Sequence, residues 1–311
     1  SQIPKWVNTI GSSGRDEPNS ICIDNSGNIY VTGHFSNTVD FDPGIGVSNL
    51  TSNGQLDIFV AKYTNSGVFL WAINMGGTLI DAANEIKVNN AGEVIITGYF
   101  RGTVDFDPSP SVSNLIGVSN AGIDPGFGGD LFLAKYSANG NFLWAFSVPN
   151  TYHQNAGYGL DIDDSDNIYI TGQNNSTSPI IADFDPGPGV YSLCNPTDGH
   201  IFVAKYSTTG NFVWAFALGA WGSNSSGYKL RVDPNDTTFV VTGHLLGTNV
   251  DFDPNAGTYL MSSNFNDIFV AKYSLNKTFM WAFNTGGAGV DMGGMLDIDN
   301  NSNIYLTGLF N

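Results

Sequence analysis

Five tryptophans, Trp6, Trp71, Trp144, Trp214 and Trp281, recur at intervals of 65, 73, 70 and 67 residues. Around four of them the chain reads FLWAINMGG, FLWAFSVPN, FVWAFALGA and FMWAFNTGG, and KWVNTIGSS is a looser first copy. Ahead of the last four stand DIFVAKY (57–63), DLFLAKY (130–136), HIFVAKY (200–206) and DIFVAKY (267–273). Behind each tryptophan comes a paired phrase, SICIDNSGNIYVTG at 20–33 in its first copy and LDIDNNSNIYLTG in its last. A chain copied at such a period folds as an array, in which each copy buries its apolar face on its neighbours.

Each copy reads as four strands, typified by ICID, NIYVTGHF, DIFVAKY and FLWAIN. Apolar and polar residues alternate with period two, and β-branched and aromatic residues dominate. An Asn/Asp-Ser-Gly turn separates the first two strands, as a hairpin requires, and short turns at 65–67 and 138–140 join the last two. No stretch has a helical period. The 38 glycines and 13 prolines punctuate many short strands, and an aromatic content of 13% excludes a disordered chain. Four antiparallel strands per copy predict an all-β protein, a β-propeller of four-stranded blades, because solenoid rungs are shorter. The propeller is expected to fill 1–311 as a single domain, with copies near 19–76, 84–148, 158–218, 228–285 and 294–311, about five blades in all.

GGTLIDAANEIKVNNAGEVIITGYF and its copies resemble the SBBP repeats, seven-bladed β-propeller repeats of bacterial secreted and surface proteins. The DFDPG-containing copies are similar to those of secreted Bacteroidetes-type proteins. The resemblance implies a propeller in an extracellular or cell-surface setting and no shared catalytic residues. Two readings of closure stay open. The Trp6 strand completes the last blade beside 295–310, or these are five copies out of about seven and belong to a longer parent, the reading we favour.

The chain carries 28 acidic residues against 11 basic ones, a net charge of −17. Such a surface displaces no counterions from a phosphate backbone, so nucleic acid is excluded as a partner, and an anionic membrane surface for the same reason. No apolar run has the length of a membrane span. Proteins, carbohydrates and cations remain. The start at Ser1, without an initiator Met, reads as a mature form with any secretion signal removed. Two cysteines make no disulfide framework. Cys22 takes a strand position filled by Ile86, Leu160, Leu230 and Leu296 elsewhere and reads as a buried small hydrophobe, whereas Cys194 lies in a loop. Asn-x-Ser/Thr triplets at Asn49, Asn175, Asn235 and Asn276 are expected by chance in so Asn-rich a chain.

The variable segments fall on one side. Between strands two and three the chain runs through 21, 29, 25 and 21 residues (36–56, 101–129, 175–199 and 246–266), and the blade-to-blade segments vary as well. In an outward meander both sets lie on one face, which makes it the candidate binding face. DFDP recurs there: Asp40 and Asp42, Asp105 and Asp107, Asp183 and Asp185, Asp251 and Asp253. At spacing two both carboxylates point to one side of an extended segment. They offer Ca²⁺ a hard oxygen site. Alternatively one pairs with the repeated lysine (Lys62, Lys135, Lys205, Lys272) and the other caps the Pro-Gly turn, and this second reading is the stronger.

The acids around the first turn (Asp24; Asp161, Asp163, Asp164 and Asp166; Asp233 and Asp236; Asp297 and Asp299) fit hairpin chemistry, since DIDDSDN lacks the Gly and distal Glu of a calcium loop. Asp16, Asp81 and Asp291, with Asn155 and Ser225 in the other copies, fit loop capping. The position after the strand-two Gly reads His34, Tyr99, Gln173, His244 and Leu309, a variability expected of exposed positions, which read first as plain solvent-facing strand ends and second as contributors to recognition. Trp221 has no counterpart in other copies and is placed to stack on a sugar or anchor a partner. His153 and His200 are isolated, and no nucleophile–base pair, phosphate loop or His/Cys metal spacing is present. The expected function is adhesion, scaffolding or ligand capture by a non-enzymatic propeller. The alternatives are a Ca²⁺-dependent carbohydrate-binding module and a glycan-active enzyme with acids from different blades.

Overall fold

The computed structural model describes residues 6–117, 129–148, 155–174, 182–193, 200–219, 225–235 and 237–311. The chain divides into two compact units, Ser1–Ser147 and Val148–Asn311. No helix occurs among the described residues, and the sheets are antiparallel meanders in chain order, the blades of a β-propeller.

The first unit holds two blades. Blade 1 comprises Asp16–Ile23, Ile29–Phe35, Asp57–Tyr63 and Phe69–Met75, and blade 2 comprises Ala82–Val88, Val94–Phe100, Asp130–Tyr136 and Phe142–Val148. In the second unit, blade 3 is Asn155–Ile162, Ile168–Asn174, His200–Tyr206 and Phe212–Leu218, and blade 4 is Ser226–Val232, Thr238–Asp251, Leu260–Ser274 and Phe279–Thr285. A two-stranded sheet, Met292–Ile298 with Ile304–Leu309, follows. Strand one of each blade lies beside strand one of the next within its unit, so the strand-one edges converge.

The segments between strands two and three are more ordered than their sequence suggests. Each folds back as a small hairpin: Thr38–Asp40 with Asn49–Thr51, Thr103–Asp105 with Asn114–Ile116, and Ala182–Asp183 with Ser192–Leu193. In blade 4 the hairpin is a continuation of the two long strands, where Val250 pairs with Met261. The DFDP phenylalanines Phe41, Phe106, Phe184 and Phe252 are buried in these hairpins. Each offers its carbonyl to the last tyrosine of strand three, with Tyr63, Tyr136, Tyr206 and Tyr273 donating over 2.9, 3.0, 2.9 and 2.9 Å. The recurrence of DFDP with DIFVAKY is therefore one device: a buried hydroxyl that needs an acceptor and a hairpin that supplies it.

Blades stack through a second device. Trp71 of blade 1 donates its indole N–H to the Ala138 carbonyl in the strand 3–4 turn of blade 2, over 3.1 Å. Gly140 in that turn has φ +78°, and a Cβ there would lie 3.3 Å from the same indole. Glycine is required by the backbone conformation and by the ring. Trp6 repeats the arrangement on blade 1, donating to the Asn65 carbonyl over 3.0 Å beside Gly67. Residues 6–15 form no strand of their own. The cores lie between blades: Tyr30, Ile58 and Met75 with Ile86, Val94 and Phe132 in the first unit, and Tyr169, Ile201 and Trp214 with Phe239, Phe269 and Tyr273 in the second. Cys22 is half-buried against the first of these.

Candidate functional site

The DFDP carboxylates act on their own hairpins. Asp40 Oδ1 accepts the backbone N–H groups of Asp42 and Ser48 at 3.0 and 2.8 Å, and Asp105, Asp183 and Asp251 do the same at their positions. The second carboxylates cap the turn: Asp42 accepts from Gly44, Asp107 from Ser109, Asp185 from Gly187 and Asp253 from Asn255. The pairing of DFDP with the repeated lysine is not what forms. Lys135 binds Glu93 at 2.6 Å, Lys205 binds Asp163 at 3.4 Å and Lys272 binds Asp233 at 3.5 Å, all acids of the strand 1–2 turn. Lys62 lies 4.7 Å above the Tyr30 ring, whose hydroxyl reaches Asp24. Strand pairing explains the difference. In blade 3, Lys205 faces Tyr169 on the neighbouring strand, which brings its ammonium to the turn preceding that strand.

Among the described residues no three His, Cys, Asp or Glu side chains gather in a metal-binding group. Each DFDP segment thus presents two carboxylates already engaged by N–H donors, against the roughly six to eight oxygens that Ca²⁺ takes. The turn acids follow hairpin chemistry. Asp24, Asp163 and Asp299 each accept backbone N–H groups across their turns and a hydroxyl from Tyr30, Tyr169 or Tyr305. Asp236 lies outside the described residues.

The capping series is realised residue by residue. Asp16, Asp81 and Asp291 accept backbone N–H groups from Ser12, Gly77 and Gly287 and, twenty positions on, from Ser36, Arg101 and Asn311. Ser225 accepts from Leu246 through its hydroxyl. Each ties the start of strand one to the end of strand two. Asp81 also has a buried acidic neighbour that its spacing does not reveal. Asp57, which opens strand three of blade 1, and Asp81, which precedes strand one of blade 2, are both fully buried. Burial raises Asp57, and it pushes Asp81 up from 3.8 to about 7, with the Asp57 charge adding to the rise. They are closed to solvent and serve as caps, which removes them from any surface chemistry.

The position after the strand-two glycine is not exposed in the blades. His34, Tyr99 and His244 are only 5, 5 and 6% exposed, Gln173 is half-buried and Leu309 alone is open. The reason is alternation. Tyr30, Thr32 and His34 share one face of strand two, and strand one of blade 2 packs against that strand. Neither ring nitrogen of His34 has a hydrogen-bond partner, and Nε2 stands 3.6 Å from Glu17, which Arg15 holds at 2.7 Å. Burial lowers the His34 pKa, so the imidazole is neutral near pH 7.

A second variable row lies on strand one, where no sequence pattern marks it. Strand one is bulged in every copy, between Pro18 and Ser20, Ala83 and Glu85, Gly157 and Gly159, Gly227 and Lys229, and Gly293 and Leu296. The extra residues in the four blades are Asn19, Asn84, Tyr158 and Tyr228. A bulge leaves one residue out of the ladder and re-aims its side chain. Tyr158 and Tyr228 meet with ring centroids 5.7 Å apart at 73°, and Tyr228 lies 5.3 Å from His244. Asn19 donates to the Ala83 carbonyl of the next blade. Trp221, His153 and Cys194 lie outside the described residues, as does the side chain of His200.

This is the architecture of a β-propeller repeat protein, with a uniform framework and a variable edge where strands one converge. Residues 5–34 match the SBBP family, described as a beta-propeller repeat. The chain is also similar to an uncharacterised WD repeat-containing protein of Acanthamoeba polyphaga mimivirus, with 28% identity over 328 residues. The aligned stretch is 91% of this chain and 23% of that relative, so the chain spans about a quarter of the relative's length.

Proposed function

We propose that the chain is a non-enzymatic interaction propeller that binds a protein through the converging strand-one edges, at their loop-side end. One observation carries this. The repeated polar side chains are occupied by caps, hairpins and turn pairs, while the strand-one bulge residues change from blade to blade, and within the second unit Tyr158 and Tyr228 lie side by side. Variable chemistry on a rigid repeated scaffold is the ordinary layout of a recognition surface. Similarity to a WD repeat-containing protein supports the reading. Resemblance to the repeats of secreted and surface proteins supports an extracellular setting, with adhesion or scaffolding as the role.

The test uses the chain as bait. A captured protein is purified, and amide hydrogen exchange of the chain is compared with and without it. Protection concentrated at 156–159 and 226–229 is expected. Protection confined to the strand 3–4 turns of the same unit, at 207–211 and 274–278, overturns the reading.

A further inference from the structure

The turn between strands one and two of blade 2 differs from the others by an exchange of residue types. Blades 1 and 3 and the last sheet carry an aspartate and, four residues on, an asparagine: Asp24 with Asn28, Asp163 with Asn167, Asp299 with Asn303. Blade 2 carries Asn89 and Glu93 instead. A side-chain amide thus stands where blades 3 and 4 hold a carboxylate against the repeated lysine, at 3.4 Å for Asp163 and Lys205 and 3.5 Å for Asp233 and Lys272. Asn89 and Lys135 are each only 4% exposed. Glu93 Oε2 bridges them, 2.6 Å from Lys135 Nζ and accepting from Asn89 Nδ2 over 2.8 Å. Asn89 Oδ1 accepts two backbone N–H groups, from Ala91 at 3.1 Å and from Glu93 at 2.8 Å.

We propose that Lys135 and Asn89 join in an intramolecular isopeptide bond, with Glu93 carrying the protons. An ion pair needs only Lys135 and Glu93, whereas an amide exchange needs every group gathered at this turn. The nucleophile is a buried amine. The electrophile is Asn89 Cγ, and two N–H donors already point at the oxygen on which negative charge develops in the tetrahedral intermediate. One carboxylate touches both the attacking and the leaving nitrogen, as acid and base. The hydrogen bond from Lys135 holds Glu93 below the usual carboxylate range, so the pair rests as ammonium and carboxylate. Transfer of one proton along the 2.6 Å contact frees the Nζ lone pair. Nζ bonds to Cγ, and the carbonyl π pair moves to Oδ1. Glu93 gives its proton to Nδ2, the pair on Oδ1 returns, the Cγ–Nδ2 bond breaks, and ammonia leaves. The surplus proton on Nζ passes through Glu93 to the ammonia, so the products are one amide and one ammonium ion, with Glu93 restored. In blades 3 and 4 the turn carboxylate meets the lysine as a counter-ion and has no amine to expel. The bond goes beyond partner binding, since it fixes the first turn of blade 2 to its third strand covalently.

Mass spectrometry of the whole chain, purified and then held at pH 7, reads the outcome directly. The wild type is expected to be lighter than its sequence by one ammonia. Trypsin cuts the denatured protein at Arg101, between the two residues, yet a branched peptide joining residues 89 and 135 should survive. Glu93→Gln keeps the size of the side chain but carries no proton, and it should slow the loss of ammonia about a hundredfold or more. Lys135→Arg keeps the charge and should abolish the branched peptide. Far-UV circular dichroism matching the wild type shows that both variants fold, and the wild-type mass carries the test without them. A wild type of full sequence mass, or ammonia lost at another asparagine with no branched peptide, overturns the inference. A branched peptide that forms as fast in Glu93→Gln overturns the role given to Glu93.

Discussion

Asp81 shows what a repeated polar residue does in this chain. Its carboxylate takes N–H groups from Gly77 and Arg101 at 2.8 Å each, yet burial beside Asp57 pushes it up to about 7. The folded state therefore holds a proton that the unfolded chain releases near pH 4. Its contribution is fully present below the unfolded pKa and is lost as pH rises toward 7, at up to about 1.4 kcal/mol per pH unit. Asp81→Asn, matching the Asn155 found in blade 3, should abolish this slope at the cost of one of the two N–H bonds, since only its Oδ1 can accept. Denaturant titrations at pH 4, 6 and 8 check it, and parallel curves for the two proteins would refute the assignment. The capping role of Asp81 was legible in the sequence because its spacing repeats. Its partner Asp57 was not, since strand three of one blade and strand one of the next meet only after the blades stack. The burial of His34 escaped for a related reason: variability reads as exposure, and nothing in the sequence says which face of strand two the next blade covers.

At the scale of the element, the DFDP hairpin is the unit to test. Asp40 Oδ1 closes it with two backbone N–H bonds, and Tyr63 anchors it through the Phe41 carbonyl. Asp40→Ala leaves those donors without their acceptor and should cost about 1–3 kcal/mol in thermal or urea unfolding. With its carboxylates occupied in this way, the wild-type midpoint should move by less than about 1 °C between EDTA and millimolar Ca²⁺, because only a ligand of the folded state raises it. A calcium-dependent rise that Asp42→Ala removes would restore the calcium reading. Blade strands were readable from alternation and recurrence. The hairpin strands at 38–40 and 49–51 were not, being three residues long with no pattern to announce them. The strand-one bulges were hidden more deeply, because a bulge is defined by the register of the partner strand, and a single segment carries no register. The residues that best support a function were concealed in that way.

For the molecule as a whole, copying makes stability a sum of similar local terms. The strand-two threonine is such a term: Thr32, Thr97, Thr171 and Thr242 each donate to the carbonyl of a strand-three phenylalanine over 2.7–2.8 Å, all fully buried. Thr97→Val in the first unit and Thr242→Val in the second should each cost about 1 kcal/mol, the net worth of a buried hydrogen bond. Because the two sites share no partner, the double variant should lose the sum of the single losses to within about 0.5 kcal/mol. A large departure from additivity, read from urea unfolding with unchanged slope, would mean that distant blades share strain rather than stacking as separate terms. The same independence frees strand one to vary. Caps, turn pairs, threonines and tryptophan locks act within one blade or between neighbours, so a substitution at Asn19 or Tyr228 changes the edge without disturbing them.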